Sequence, residues 1–393
     1  MASSFVILAA MAGLAPGQVD ASPQPQVVSE ADAIAAVLAT FPEEVQRAIR
    51  LQDPREMTRT ARPYIERCVP GGDDPLRCLG LLGMLSMTLV AVRDYDAARD
   101  MARRALVLAQ AAQDPVETAG VRWVAAKVEY GAGNFEEAER GFREALDMYA
   151  ALGPETLPVR LRVEVERVQL LLTLQRTAEA EAAAKAVIAA AAEPALIELR
   201  VMGQIQLALT WVVARRYAEA TAGYREVIAV IEAVGGADHP AIVGVLSDLA
   251  MVYTLEKRNA EAVGTVERAD RIARAHFTET NQIRQMIAVN RGALLARLGR
   301  CGEAEPVLRP AYAALLDRRS WIGAVASLGL ARCLSQMPGK EGEAIAHITA
   351  SIAFPLDRLA RSTGFTPGAA REFANYTEIF REKVAVNWRI SKR

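Results

Sequence analysis

The residues of this 393-residue chain best suited to chemistry are four cysteines and three histidines, and their spacing leaves little for them to catalyse. Four cysteines allow three pairings. Two stand out: Cys68 with Cys78, which flank a Gly/Pro-rich stretch, and Cys301 with Cys333; four buried thiols are the alternative. No Cys-x-x-Cys and no Cys/His spacing suits zinc, so no metal is expected. His239, His276 and His347 are far apart in the chain. Gly-x-Ser-x-Gly, a Gly-rich phosphate loop and His-Glu-x-x-His are all missing, so the chain reads as a non-enzyme with no cofactor. Glu136, Glu137 and Glu303 fall at expected helix starts, where a carboxylate favours the positive end of the helix dipole; their role is structural.

The elements that hold these side chains are legible in residues 235–273. Residues 241–256 carry Val245, Leu246, Leu249 and Tyr253 at helical spacing, and residues 260–273 carry Ala262, Val266 and Ala269 on one face. Asp238-His239-Pro240 ahead of them is a helix-start signal, with proline near the first helical position. The unit is a helix-turn-helix, and it recurs. The alanine that follows the opening of the second helix returns at Ala98, Ala138, Ala180, Ala220, Ala262, Ala304 and Ala344, every 40 or 42 residues. Three positions earlier stand Tyr95, Phe135 and Tyr217, and four later Phe142, Tyr224, Val266, Leu308 and Ile348. The third repeat is weaker, with Thr177 and Ala184 at those places.

This order of small and large residues resembles the tetratricopeptide repeat, in the longer kinesin-light-chain-like form that often carries His-Pro at the repeat junction. The resemblance implies an all-α, right-handed superhelical solenoid of about seven helix pairs with helical caps, each pair burying its apolar stripe against the next. The composition agrees. Hydrophobic residues make up 52% of the chain but aromatics only 6%, so the apolar weight lies in Ala, Leu and Val, which suit close helix packing. With 46 basic and 47 acidic residues and no basic run, nucleic acid and anionic lipid are not expected partners.

The same resemblance implies that the first helix of each pair lines a concave groove, where a protein or peptide partner binds. Carried over position by position, it nominates Met87, Trp123, Lys127, Tyr130, Gln169, Met202, Ile205, Leu209, Met251, Met286 and Asn290. The Lys and Asn clamp by which some relatives hold a terminal carboxylate is not evident. Thioethers and aromatic anchors suit an apolar extended or helical segment; Met and Leu at such places also serve simply as packing between neighbours, and both readings stand. The resemblance places the Cys301–Cys333 pair between the outer helix of one repeat and the inner helix of the next.

Residues 1–21 hold an apolar run and a small-residue site before Ser22, the pattern of a secretory signal, although no Lys or Arg precedes the run. The run is too short for a membrane span, which needs about 20 apolar residues. Expected boundaries are thus a signal at 1–21, a linker and N-terminal cap at 22–75 with its first helix over 31–40, a solenoid at 76–354 ending at Phe354-Pro355, and C-terminal capping helices at 355–393. A bacterial periplasmic or secreted binding scaffold follows, cytoplasmic if the N-terminal signal does not function, with a peptide sensor as the alternative and an enzyme with an unrecognised site as a third.

Overall fold

In a computed structural model the described residues are 43–51, 54–279, 281–315, 318–361 and 376–392, with residues 39, 370, 373 and 374. The expected signal at 1–21 and nearly all of the helix expected at 31–40 lie outside them. Every regular element among the described residues is helical. Two helices, α1 (Glu43–Leu51) and α2 (Pro54–Ile65), precede seven antiparallel pairs. These are α3 (Pro75–Ala91) with α4 (Tyr95–Ala111), α5 (Pro115–Ala132) with α6 (Phe135–Leu152), α7 (Leu157–Thr173) with α8 (Thr177–Ala190), and α9 (Ile197–Val213) with α10 (Tyr217–Gly235). They continue as α11 (Ile242–Leu255) with α12 (Asn259–His276), α13 (Gln282–Arg297) with α14 (Cys301–Ala314), and α15 (Trp321–Leu334) with α16 (Glu341–Arg361). A final helix, α17 (Thr377–Ser391), packs on α15 and α16. The chain is an all-α solenoid.

The turns within the first six pairs share one build. The first helix ends in a left-handed residue: Arg93, Gly133, Gln175, Arg215, Lys257 and Gly299 all have positive φ. In the fifth pair Lys257 N–H donates to the Thr254 carbonyl at 3.1 Å and Arg258 N–H to the Tyr253 carbonyl at 2.8 Å, the paired bonds of a Schellman cap. In pairs three to six the next helix opens on an Arg whose guanidinium fork grips a Glu three residues on: Arg176 with Glu179, Arg216 with Glu219, Arg258 with Glu261, Arg300 with Glu303. Starts of first helices vary more. Asp74 and Asp114 cap α3 and α5, each followed by proline. At the fifth pair Pro240 falls short of the helix, which begins at Ile242; His239 Nδ1 instead accepts from Ala241 N–H at 3.2 Å within the preceding turn.

Packing explains the alanine interval. All seven repeat alanines are 0% exposed, sitting where the two helices of a pair cross and only a methyl group fits. The bulky residues four positions later, Phe142, Tyr224, Val266, Leu308 and Ile348, are buried beside them. Gly292 shows how close the approach is: a Cβ there would lie 2.5 Å from Leu308 Cγ.

Both ends are fastened. The Cys68–Cys78 disulfide ties the turn after α2 to α3, and Cys301–Cys333 ties the first residue of α14 to α15. At the C-terminal end Trp321, Phe354, Phe373, Tyr376 and Phe380 form an aromatic cluster. One boundary differs from the sequence expectation: α16 does not stop at Phe354-Pro355 but runs through Pro355 to Arg361. An interior proline removes one helical hydrogen bond, and here Phe354, held among Trp321 and Tyr376, keeps the helix going through it.

Candidate functional site

The inner face can be located from packing alone. Along the stack α3 touches α5, α7 touches α9, α9 touches α11, α11 touches α13 and α13 touches α15, whereas even-numbered helices of successive pairs make no comparable contact among the described residues. The layer whose members sit closer lies on the inside of the curve. All eleven groove residues expected from the sequence are on these inner helices, but they do not share one environment.

Five of them are core. Gln169, Met202, Ile205, Leu209 and Met286 are at most 5% exposed. Met202 packs with Leu161, Val165, Val187 and Leu199, Leu209 with Val168, Leu171 and Leu172, and Ile205 and Met286 join the large central cluster. They face along the stack, where a neighbouring repeat covers them, so they do not line an open groove. The closure is tightest at α11, where residues 241–250 are all buried and Met251 is the first exposed side chain. A helix apolar all round is a buried helix. Met87, Asn290 and the trio on α5 remain half-buried.

That trio is not a free anchoring patch. Trp123 Nε1 donates to Glu166 Oε2 at 2.6 Å and Lys127 Nζ to Glu166 Oε1 at 2.9 Å, so one buried carboxylate on α7 takes both. Lys127 also lies over the Trp123 ring, 5.0 Å from its centroid, and Tyr130 Oη is 2.9 Å from Thr173 Oγ1. The polar ends of all three join repeat two to repeat three.

Glu166 exposes a position that sequence reasoning missed. Counting back 14 residues from Ala180, Ala220, Ala262 and Ala304 gives Glu166, Gln206, Asp248 and Asn290, a polar residue each time. That repetition was a readable signal. In the structure two of these residues bond to the preceding repeat: Glu166 takes Trp123 and Lys127, and Asn290 Nδ2 donates to Ser247 Oγ at 2.9 Å. Gln206 stands to Gln169 as Glu166 does to Lys127. Yet neither amide atom of Gln169, nor the Gln206 side-chain oxygen, has a protein hydrogen-bond partner, and both residues are buried. Such orphaned groups cost about 1–3 kcal/mol each. Nearby, burial first and then the charge of Asp248 push the Tyr224 hydroxyl well above its ordinary pKa.

Charged groups elsewhere are structural. Burial opposes ionisation of Glu139, but a hydrogen bond from Arg143 and the charges of Arg176, Arg143 and Arg167 outweigh it and hold the carboxyl below its usual range. This knot joins α6, α7 and the start of α8. A cleft of about 630 Å³ lies between α4 and α6 over α5. Its arginines are paired, Arg99 with Glu129, Arg122 with Glu144 and Arg140 with Glu137. No cluster of His, Cys, Asp and Glu suited to a metal occurs among the described residues. Pro194–Val213 has the length and mean hydropathy, 1.3, of a membrane span, but 61% of it is buried in the solenoid, as a core helix would be.

A family model described as tetratricopeptide repeat matches residues 204–241, the fourth pair and the junction after it. No curated protein sequence matches the chain. Among solved structures, the apo form of RapI is 13% identical, with a TM-score of 0.55 over 92% of this chain and 88% of its own. Yeast Tom70 is 17% identical, with a TM-score of 0.55 over 98% of this chain and 69% of its own. A Rap protein complexed with competence and sporulation factor is 11% identical, with a TM-score of 0.50 over 92% and 99%. At such identities the likeness is one of fold. Residues 204–241 thus carry a tetratricopeptide repeat, and the seven buried alanines at intervals of 40 or 42 residues mark helix pairs of similar build along the rest of a solenoid whose fold these structures share.

Proposed function

We propose that the chain is a non-enzymatic scaffold that takes an extended peptide segment of a protein partner along its inner layer, and that it acts outside the cytoplasm. The observation that carries the reading is the pair of glutamines on α7 and α9. Gln169 and Gln206 keep amide atoms without a protein partner at a repeat boundary, while Glu166 and Asn290, which hold the position of Gln206 in repeats three and six, are bonded to the preceding repeat. An extended backbone presents donors and acceptors in alternation, and the two buried primary amides answer both once α7 and α9 part to admit it. The half-buried Met84 and Met87 on α3 add a thioether surface for apolar side chains. Pairing of all four cysteines supports an oxidising compartment, and the apolar run before Ser22 supports export.

A peptide-sensing role is the second reading. It is favoured by the fold shared with a Rap protein complexed with competence and sporulation factor, and by the burial of Gln169 and Gln206, which couples binding to separation of α7 from α9.

Selection of displayed random 15-residue peptides on the immobilised protein, followed by hydrogen exchange, tests the scaffold. Peptides that bind should protect α7, α9 and α11. Gln169→Leu with Gln206→Leu should weaken them about tenfold, the loss of one or two hydrogen bonds. Protection confined to the even-numbered helices, or unchanged affinity in the double variant, would refute the reading. Export is checked by N-terminal sequencing, which should find Ser22 first.

A further inference from the structure

The two ends of the solenoid meet. Arg93, in the turn between α3 and α4, and Asp357, on the far half of α16, are 264 residues apart in sequence, yet Arg93 Nη1 lies 3.0 Å from Asp357 Oδ2. The pair is sheltered, with the two side chains 13% and 26% exposed. Next to it Arg358 donates from Nη1 to the Gly131 carbonyl at the end of α5, and its guanidinium stands 5.8 Å from the centroid of the buried Phe135 ring. Arg93 also lies over Phe354, 5.4 Å from the centroid, and Phe354 belongs to the aromatic cluster that holds α17. The residues that reach across all lie on the stretch of α16 from Phe354 onward, which exists because the helix continues through Pro355; α16 is the longest helix of the array, at 21 residues.

We propose that Arg93–Asp357 and Arg358–Gly131 form an ionic latch that shuts the last repeat against the first two, closes the solenoid into a ring and restricts entry to the inner face. This rests on the reading of that face as the binding site, and it adds the regulation of access. Several features favour a latch over a fixed joint. The bridging contacts are guanidinium contacts, to a carboxylate, a carbonyl and two rings, instead of a seam of interlocked apolar side chains such as joins neighbouring repeats. Contacts of this kind weaken with salt and with charge reversal, while the repeat cores do not. The ring residues on both sides, Phe135 and Phe354, belong to separate apolar clusters, each packed within its own end of the array.

The test is a distance measurement on the full chain. Spin labels on Asp96→Cys and Leu356→Cys, both exposed and close to the contact, report the separation of the two ends by pulsed electron resonance, with circular dichroism to confirm intact helices. Arg93→Glu and Asp357→Arg should each lengthen the distance distribution, as should 1 M salt, and Arg93→Glu combined with Asp357→Arg should shorten it again. Distances unchanged in both single variants would overturn the latch. With a peptide from the display selection, each single variant should raise the association rate several-fold and the charge-swapped pair should restore it; longer distances with an unaltered rate would overturn the gating. A failure of every peptide to bind would count against the scaffold and leave the distances to decide the latch.

Discussion

Removal of the Glu166 carboxylate discriminates most sharply between a structural trio on α5 and a ligand-binding one. Glu166 is 9% exposed and accepts from both Trp123 Nε1 and Lys127 Nζ, and the Lys127 side chain is only 13% exposed. Glu166→Leu would therefore leave an ammonium and an indole N–H with no acceptor in a nearly closed seam. Breaking a buried ion pair from one side costs about 3–5 kcal/mol when burial is complete. The residual exposure of Lys127 lets it reach water, which lowers the expectation to about 2–3 kcal/mol. Lys127→Met alone should cost less, about 1–2 kcal/mol, because Glu166 keeps the indole N–H and a methionine fills the space of the lysine stem. The double variant should cost less than the sum, with a coupling of about 1–2 kcal/mol, since each change has already removed the shared interaction. Urea unfolding followed by tryptophan fluorescence and by backbone dichroism gives all three values, and agreement of the two probes shows whether the array unfolds as one unit. Additive costs would refute the seam and return Lys127 and Trp123 to the role of free anchors.

Three further outcomes follow from the same geometry. Ala262→Leu should overpack the crossing of α11 and α12 and cost about 1–3 kcal/mol in thermal or urea unfolding; an unchanged midpoint would contradict the repeat register. In the chain-entropy model the Cys68–Cys78 bridge contributes about 2.7 kcal/mol and Cys301–Cys333 about 3.7 kcal/mol, so Cys68→Ser should melt earlier than the parent protein in oxidising buffer and alike in reducing buffer. Equal melting in oxidising buffer would deny the first bridge a stabilising role. Glu139 and Glu382 both have carboxyl pKa values lowered by arginine partners against the effect of burial. Their stabilisation is present above the unfolded carboxyl range, about pH 4.3, and is lost as pH falls through the lower folded values. Glu139→Gln should flatten the decline of stability below pH 4, and an identical acid profile would show that the arginine knot contributes nothing.

Much of the fold was written in local signals. The alanine interval located seven helix crossings because a position that admits only a methyl group is constrained by the two nearest helices, which are neighbours in sequence. The cysteine pairs were legible for the same reason, each joining elements adjacent along the chain. The polar position of Glu166, Gln206, Asp248 and Asn290 recurs at the same interval and could have been read with them.

Which inner-helix residues stay open was decided only in three dimensions. Leu209 and Met251 hold the same inner position of successive repeats, each 11 residues before its repeat alanine, yet Leu209 is buried and Met251 is 38% exposed. The difference lies in how far each repeat rotates onto the next, a sum over many side-chain volumes that no single residue encodes. The contact of Arg93 with Asp357 is the extreme case. Small rotations accumulated over seven pairs bring together residues 264 apart, so their meeting depends on the curvature of the whole stack, whereas the helices, their turns and their order follow from spacings no longer than one repeat.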